Sequence, residues 1–382
     1  MRHSSMLRTL ARRRGRAISD YIVAQTHRGF TRAMSTKASG DGGERGGRTL
    51  CVITHEKLVE STPLKDRLRR ELPVNAYSNV LIGSKAKDFE RVGADGDGPL
   101  TMLWWFAPAE STRGFLEADA ARTKRIDWMH SGSAGVEHLL AMDAVKSHPS
   151  TLTNGKGAFS ASLGEWGVFA CMYFAKRVDA MRRAQAKGEW VRMTVGMVQG
   201  KRMTIVGYGD IGSHVARRAK SLGMKVRAVR RFPEKTSPSD ESCDEVLAFN
   251  RLNDAVKDAD YVVVALPSTA ETNKMINADV LGSMKKSAVV VNLGRGSTVD
   301  EDAMVEALRN GVIAGAALDV FAVEPLPKDH PFYSMENVLV SFHCADLTED
   351  YHDLALDCFI QHAHEYVENK PFTNVVNKVL GY

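Results

Sequence analysis

Gly207, Gly209 and Gly212 stand in "TIVGYGDIGSHVARRAKSLGMKVRAVRR" with the spacing G-x-G-x-x-G, after an apolar run and before a helix-compatible stretch. In that setting the first glycine permits a tight turn and the second lets backbone approach a pyrophosphate. The third lets the helix pack closely on the strand. The helix start, with Asp210 and Ile211, offers free N–H groups and the positive end of the helix dipole to phosphates. The chemistry this spacing supports is dinucleotide binding. Pro267, which closes a later apolar run, is counted with the cofactor-binding residues.

The strand after this unit ends on Arg230 and Arg231, with Lys235 nearby. An acid there would accept hydrogen bonds from the ribose 2′-hydroxyl of NAD and repel a 2′-phosphate. Guanidinium groups instead suit a phosphate dianion, through forked, charge-assisted hydrogen bonds. The pair predicts NADP as the preferred cofactor. NAD stays open if the arginines form only a solvated loop.

The elements that must hold these residues read as a parallel α/β fold. Apolar runs at 203–207, 225–229, 261–266, 288–293, 313–318 and 337–342 alternate with helical stretches. Near-continuous Val, Ile and Ala runs are expected of parallel strands buried on both faces. Ahead of them, "TLCVIT", "TMLWWFA" (101–107) and "IDWMH" (126–130) suggest a smaller α/β unit. Residues 162–187 read as one long helix linking the two, and 351–369 as an amphipathic helix returning to the first. The fold class is therefore α/β: a Rossmann-type, doubly wound parallel cofactor domain (159–346) plus a smaller flavodoxin-like domain (47–158 and 347–382).

Composition narrows the classes. Hydrophobic content of 44% and charged content of 25% fit an ordinary soluble globular chain. No apolar run reaches the roughly 18 residues a membrane span needs. Residues 1–50 carry 11 Lys and Arg against three acids, a charge of +8, which leaves the rest of the +5 chain at −3. That weakly acidic body gives no reason to expect nucleic acid as a partner. The Arg- and Ser-rich leader, acid-free before Asp20, suits a mitochondrial or chloroplast transit peptide, so 1–46 reads as leader and linker. A disordered tail on a cytoplasmic protein is the alternative. Cys51, Cys171, Cys243, Cys344 and Cys358 show no CxxC or CxxH spacing, which argues against a disulfide framework or a zinc site. No metal is expected.

Three further motifs resemble the D-isomer-specific 2-hydroxyacid dehydrogenases: "NLGRGSTVDEDAM" (292–304), "ALDVFAVEPLP" (317–327) and "HPFYSMENVLVSFHCAD" (330–346). Earlier, "HSGSAGVEHL" (130–139) and "NGKGAFSASLGEW" (154–166) look like that family's substrate loop and interdomain crossover. The resemblance makes the smaller domain the substrate domain and implies a bilobal, usually dimeric enzyme with its active site between the lobes. By it, Arg295 would bind the carboxylate and carbonyl oxygen of a 2-oxo acid, and His343 would protonate that oxygen. Glu324 would pair with the histidine and Asp319 would contact the nicotinamide carboxamide. Backbone N–H groups of Ala134 and Gly135 would grip the substrate carboxylate.

The reaction requires such groups on chemical grounds as well. Hydride addition leaves negative charge on oxygen, which a nearby cation stabilises. Protonating that oxygen near neutral pH suits histidine, and a neighbouring carboxylate favours the imidazolium. Departures from the family pattern are Phe342, where proline is common, Asp346, where small residues are usual, and Glu137, where aspartate is commoner. They bear on substrate size and pocket polarity. Trp104 and Trp105 read equally as pocket wall or core, Cys344 as a small core side chain, and His352, His362 and His364 as surface or packing residues.

The expected function is NADPH-dependent reduction of a small 2-oxo acid, of the glyoxylate or hydroxypyruvate class, to the D-2-hydroxy acid. NAD-dependent oxidation and a dinucleotide-sensing, corepressor-like binding role are the alternatives.

Overall fold

The computed structural model describes residues 47–74, 76–92 and 98–382, so the expected leader 1–46 lies outside the described residues. Five strands, β1 (Arg48–Thr54), β2 (Tyr77–Gly83), β3 (Leu100–Trp105), β4 (Ile126–Ser131) and β5 (Thr151–Asn154), form one sheet in the order β2-β1-β3-β4-β5. Seven more form a second sheet: β6 (Arg202–Val206), β7 (Lys225–Val229), β8 (Glu245–Leu247), β9 (Tyr261–Val264), β10 (Val289–Asn292), β11 (Gly315–Leu318) and β12 (Val338–Val340). Its order is β12-β11-β10-β9-β6-β7-β8. Every strand pairing within both sheets is parallel.

These orders matter because they fix where a ligand can sit. The first is the flavodoxin-like order. The second is the dinucleotide-binding order extended by one strand, with the chain reversing direction across the sheet between β6 and β9. Ligands of open parallel sheets lie at the carboxyl ends of the strands beside such a reversal. The central strands can occupy that position because "YVVV" and "VVV" are buried along their whole length.

The chain does not form the single helix expected over 162–187. Helices Ser160–Ala175 and Val178–Ala186 are separated at Arg177, whose φ of 53° is left-handed. The Ala175 carbonyl accepts the Gly196 N–H at 2.7 Å, so a tertiary hydrogen bond takes over at the break. The two segments also differ in burial. The first packs through Gly164 and Gly167 against His214, Val215 and Leu293, whereas the second has no fully buried residue.

Strands β2, β5 and β8 add to those expected from apolar runs. They are short or edge strands rich in polar residues ("YSNVLIG", "TLTN", "EVL"), with little apolar signal to mark them. The C-terminal helix Tyr351–Val367 lies on the first sheet. Trp128 of β4 stacks on Phe359 at 5.4 Å and on Phe372 at 5.0 Å, and Val375 bridges to Thr153 of β5. No helix among the described residues is long and apolar enough to cross a membrane.

Candidate active site

The glycine turn joins β6 to the helix Asp210–Ser221. Gly207 has φ of 100°, and a Cβ there would lie 2.4 Å from the Ala265 carbonyl oxygen; one on Gly212 would lie 2.3 Å from that of Gly207. Both positions therefore require glycine. A Cβ on Gly209 would meet nothing within 4 Å, so this backbone faces open space at the helix N-terminus. Asp210 Oδ2 is buried with no partner among the described residues, on the side of Gly157, where a Cβ would lie 3.8 Å from it. Ile211 is half-buried, and Pro267 accepts from Thr272 Oγ1 at 2.6 Å just beyond β9. An extended, anionic dinucleotide fits these residues.

Arg230 and Arg231 follow β7 directly and differ in their engagement. Among the described residues, Arg230 Nη1 donates to Thr236 Oγ1 alone, at 3.1 Å. Arg231 Nε pairs with Glu271 Oε2 at 3.2 Å, and its Nη1 donates to the Tyr382 hydroxyl at 3.4 Å.

Arg295 is presented by a clamped loop after β10. Asn292 Nδ2 and Thr298 Oγ1 both donate to the Arg295 carbonyl, at 3.1 and 2.6 Å, while Asn292 Oδ1 accepts from Gly294 N at 3.1 Å. Arg295 Nη1 donates to the Gly294 carbonyl at 2.9 Å, and Nε donates to Glu137 Oε1 at 2.9 Å across the two lobes. Burial is the largest single influence on Glu137 and raises its pKa, but the Arg295 charge, hydrogen bonds from Arg295 and from its own backbone N–H, and nearby His138 together hold the carboxyl below its ordinary range. The Arg295 guanidinium packs against Gly135, where a Cβ would sit 2.0 Å from Nη2. The amide nitrogens of Ala134 and Gly135 donate to no group among the described residues, while their carbonyls accept from Asn154 and Ser133.

His343 Nδ1 lies 2.7 Å from Glu324 Oε2, and Glu324 Oε1 accepts from Phe321 N at 2.9 Å. The histidine occupies the left-handed region at φ 51°, an unfavourable conformation that its surroundings must hold. Asp319 does so. Its carbonyl accepts the His343 N–H at 2.8 Å, and its Oδ1 accepts from Ser341 Oγ, Cys344 N and Ala345 N at 2.7, 3.0 and 3.2 Å. Asp346 lies within electrostatic reach of both His343 and Arg295. Burial raises its pKa, His343 opposes this, Asp319 adds to it, and the net shift is upward.

The fold thus gathers Arg295, His343, Glu324, Asp319, Ala134 and Gly135, which span more than two hundred residues of sequence, beside the cofactor turn. Trp104 and Trp105 are buried, and the ring that follows them is Phe106, at φ 53°, in contact with Tyr351 and His352 at 5.4 and 5.2 Å. Cys344 is exposed, contrary to its sequence reading as a core side chain, and its N–H is held by Asp319 Oδ1. Asn292 and the Glu137–Arg295 pair are the participants that sequence reading missed; the first carries no chemical signature, and the second needs contact between lobes.

A family model described as the NAD-binding domain of D-isomer specific 2-hydroxyacid dehydrogenases matches residues 168–345. A glyoxylate/hydroxypyruvate reductase of Arabidopsis thaliana is 32% identical over 249 residues, 64% of this chain and 74% of the relative. The chain belongs to the D-isomer specific 2-hydroxyacid dehydrogenase family. It is thereby one of the NAD(P)-dependent oxidoreductases. A 2-hydroxyacid dehydrogenase of Xanthobacter autotrophicus Py2, solved in complex with NADPH and MES, superposes with a TM-score of 0.72 at 26% identity, over 88% of this chain and 100% of that one. A glyoxylate reductase of Thermococcus gammatolerans is 36% identical over 214 residues, 53% of this chain and 60% of the relative.

Proposed function

We propose that this dehydrogenase reduces a small 2-oxo acid of the glyoxylate or hydroxypyruvate class to the D-2-hydroxy acid, with NADPH preferred over NADH. The observation that carries the reading is the Glu324–His343 pair, set with Arg295 beside a glycine turn that fits a dinucleotide. Reduced nicotinamide, when bound, supplies the hydride. Arg295 orients the substrate through its carboxylate and carbonyl oxygen and stabilises the charge that develops on that oxygen. The free N–H groups of Ala134 and Gly135 hold the carboxylate from the opposite lobe. Glu324 fixes the Nδ1 side of His343, so Nε2 is the atom that delivers a proton to the carbonyl oxygen. Asp319 keeps His343 in place, and its second carboxylate oxygen is the one left for the nicotinamide carboxamide.

Support for NADPH comes from Arg230, whose guanidinium has only a hydroxyl partner among the described residues and is available to a 2′-phosphate. Arg231 is the secondary ligand, since it must leave Glu271 first. The names of the Arabidopsis and Thermococcus relatives support the substrate class. A homodimer through the cofactor lobe accords with the exposed Phe169, Met181, Val191 and Met197 and with Trp190, which is 95% exposed. Import into a mitochondrion or chloroplast is part of the same proposal; imaging the chain with and without residues 1–46 tests it.

The test of the enzymatic reading is turnover of glyoxylate and hydroxypyruvate by the full chain with each cofactor. A preference for NADPH that Arg230→Asp with Arg231→Ala abolishes supports it. Equal use of NADPH and NADH removes the cofactor assignment, and no turnover with either removes the substrate class.

A further inference from the structure

His130, Cys358 and His362 converge between β4 and the helix Tyr351–Val367, and one potential ligand atom from each lies within 4.8 Å of the others. Both histidines are fully buried, with ring centroids 5.2 Å apart. Each ring already uses one nitrogen on a threonine: His130 Nδ1 on Thr153 Oγ1 at 2.7 Å, and His362 Nε2 on Thr373 Oγ1 at 3.1 Å. His130 Nε2 is buried with no partner among the described residues. His362 also hydrogen-bonds the Cys358 backbone, and its Nδ1 lies 3.7 Å from Cys358 Sγ.

An orphaned imidazole nitrogen in a protein core is costly, and polar groups in such places nearly always have a partner. Metal-bound histidines show the same pattern as this pair, with the non-ligating nitrogen on a hydrogen-bond partner that fixes tautomer and ring orientation.

We propose that His130, Cys358 and His362 form a binding site for a zinc-like divalent transition metal. Two imidazoles and a thiolate select such a cation over magnesium or calcium. Binding ejects the Cys358 thiol proton to solvent as the metal–sulfur bond forms. No linear motif announces the site. Cys358 and His362 lie one helical turn apart on one face, and His130 comes from a strand more than two hundred residues earlier. The metal would fasten the C-terminal helix to β4, and β4 runs directly into the loop bearing Ala134 and Gly135.

The test uses the full chain, stripped with a chelator and titrated with Co2+. The expected result is a thiolate-to-cobalt charge-transfer band that saturates at one equivalent and is abolished by excess Zn2+. Free Zn2+ at a hundredfold excess over its Kd should raise Tm by about 4 °C. Cys358→Ser should lose the band, and His130→Asn should weaken binding at least about tenfold. A wild-type chain with no band and no change in Tm overturns the proposal. So does a band lost in Cys344→Ser but retained in Cys358→Ser, since Cys344 is the exposed thiol. Should the Cys358 variant not fold, the wild-type titration beside Cys344→Ser decides alone.

Discussion

Glu137→Gln is expected to tighten substrate binding, although it removes an ion pair. Arg295 Nε and Glu137 Oε1 are 2.9 Å apart, and the two side chains keep 32% and 41% of their exposure. Such a pair at charge separation of roughly 4 Å attracts by ~4 kcal/mol at an effective dielectric of about 20. Solvent screening and side-chain entropy reduce its measurable worth to about 1 kcal/mol or less. Arg295 does not depend on it for position, because Nη1 remains on the Gly294 carbonyl and Gly135 packs beneath the guanidinium. A 2-oxo acid carboxylate on the same guanidinium would lie roughly 5 Å from the Glu137 carboxylate. At a dielectric between those of water and protein surface, about 40, the repulsion is ~1.7 kcal/mol. Relief of repulsion therefore exceeds loss of the pair by about 0.7 kcal/mol, a roughly threefold fall in KM. Initial rates against hydroxypyruvate concentration measure it, with kcat changing less than about twofold and the difference shrinking as salt is added. A KM that rises tenfold or more would refute the reasoning, because Glu137 would then be what positions Arg295.

Three other outcomes are expected. Arg230→Ala should raise KM for NADPH by about 10- to 100-fold, the worth of charge-assisted hydrogen bonds to phosphate, while Arg231→Ala does less and NADH kinetics stay unchanged; steady-state kinetics with both cofactors check this. Asp319→Asn should lower kcat about 100-fold, through displacement of His343 rather than lost contact with substrate, and the KM for the 2-oxo acid should move little by comparison. Asp346 has a raised pKa, so its protonated form is favoured in the native state and stability is lost as pH rises above the ordinary 3.8 through the shifted value. Among His343, Asp319 and Arg295 around it, Asp346→Asn should accordingly raise Tm at neutral pH, with the gain vanishing below pH 3.8 in thermal denaturation scans.

Much of this architecture is legible in the sequence because it rests on local pattern. Val-rich runs marked the buried strands, and three glycines marked the turn, where backbone geometry leaves no alternative at Gly207 and Gly212. What escaped depends on contacts distant in sequence. The break at Arg177 needs the Gly196 amide to reach Ala175, and polar edge strands such as β5 form only against a neighbour already in place. Asp319 illustrates the same limit at the site. The motif indicated an acid, but only the fold shows its carboxylate collecting the Cys344 and Ala345 amides that hold His343 at a left-handed φ. His362 was read as a surface or packing residue; its partner His130 becomes visible only when the C-terminal helix lies on β4.

The most direct test of the central claim is chiral analysis of the product formed from hydroxypyruvate by the full chain with NADPH. The account predicts D-glycerate in step with NADPH consumed, and a loss of about 100-fold or more when His343 is replaced by alanine. An L-configured product, or undiminished turnover in His343→Ala, would contradict it.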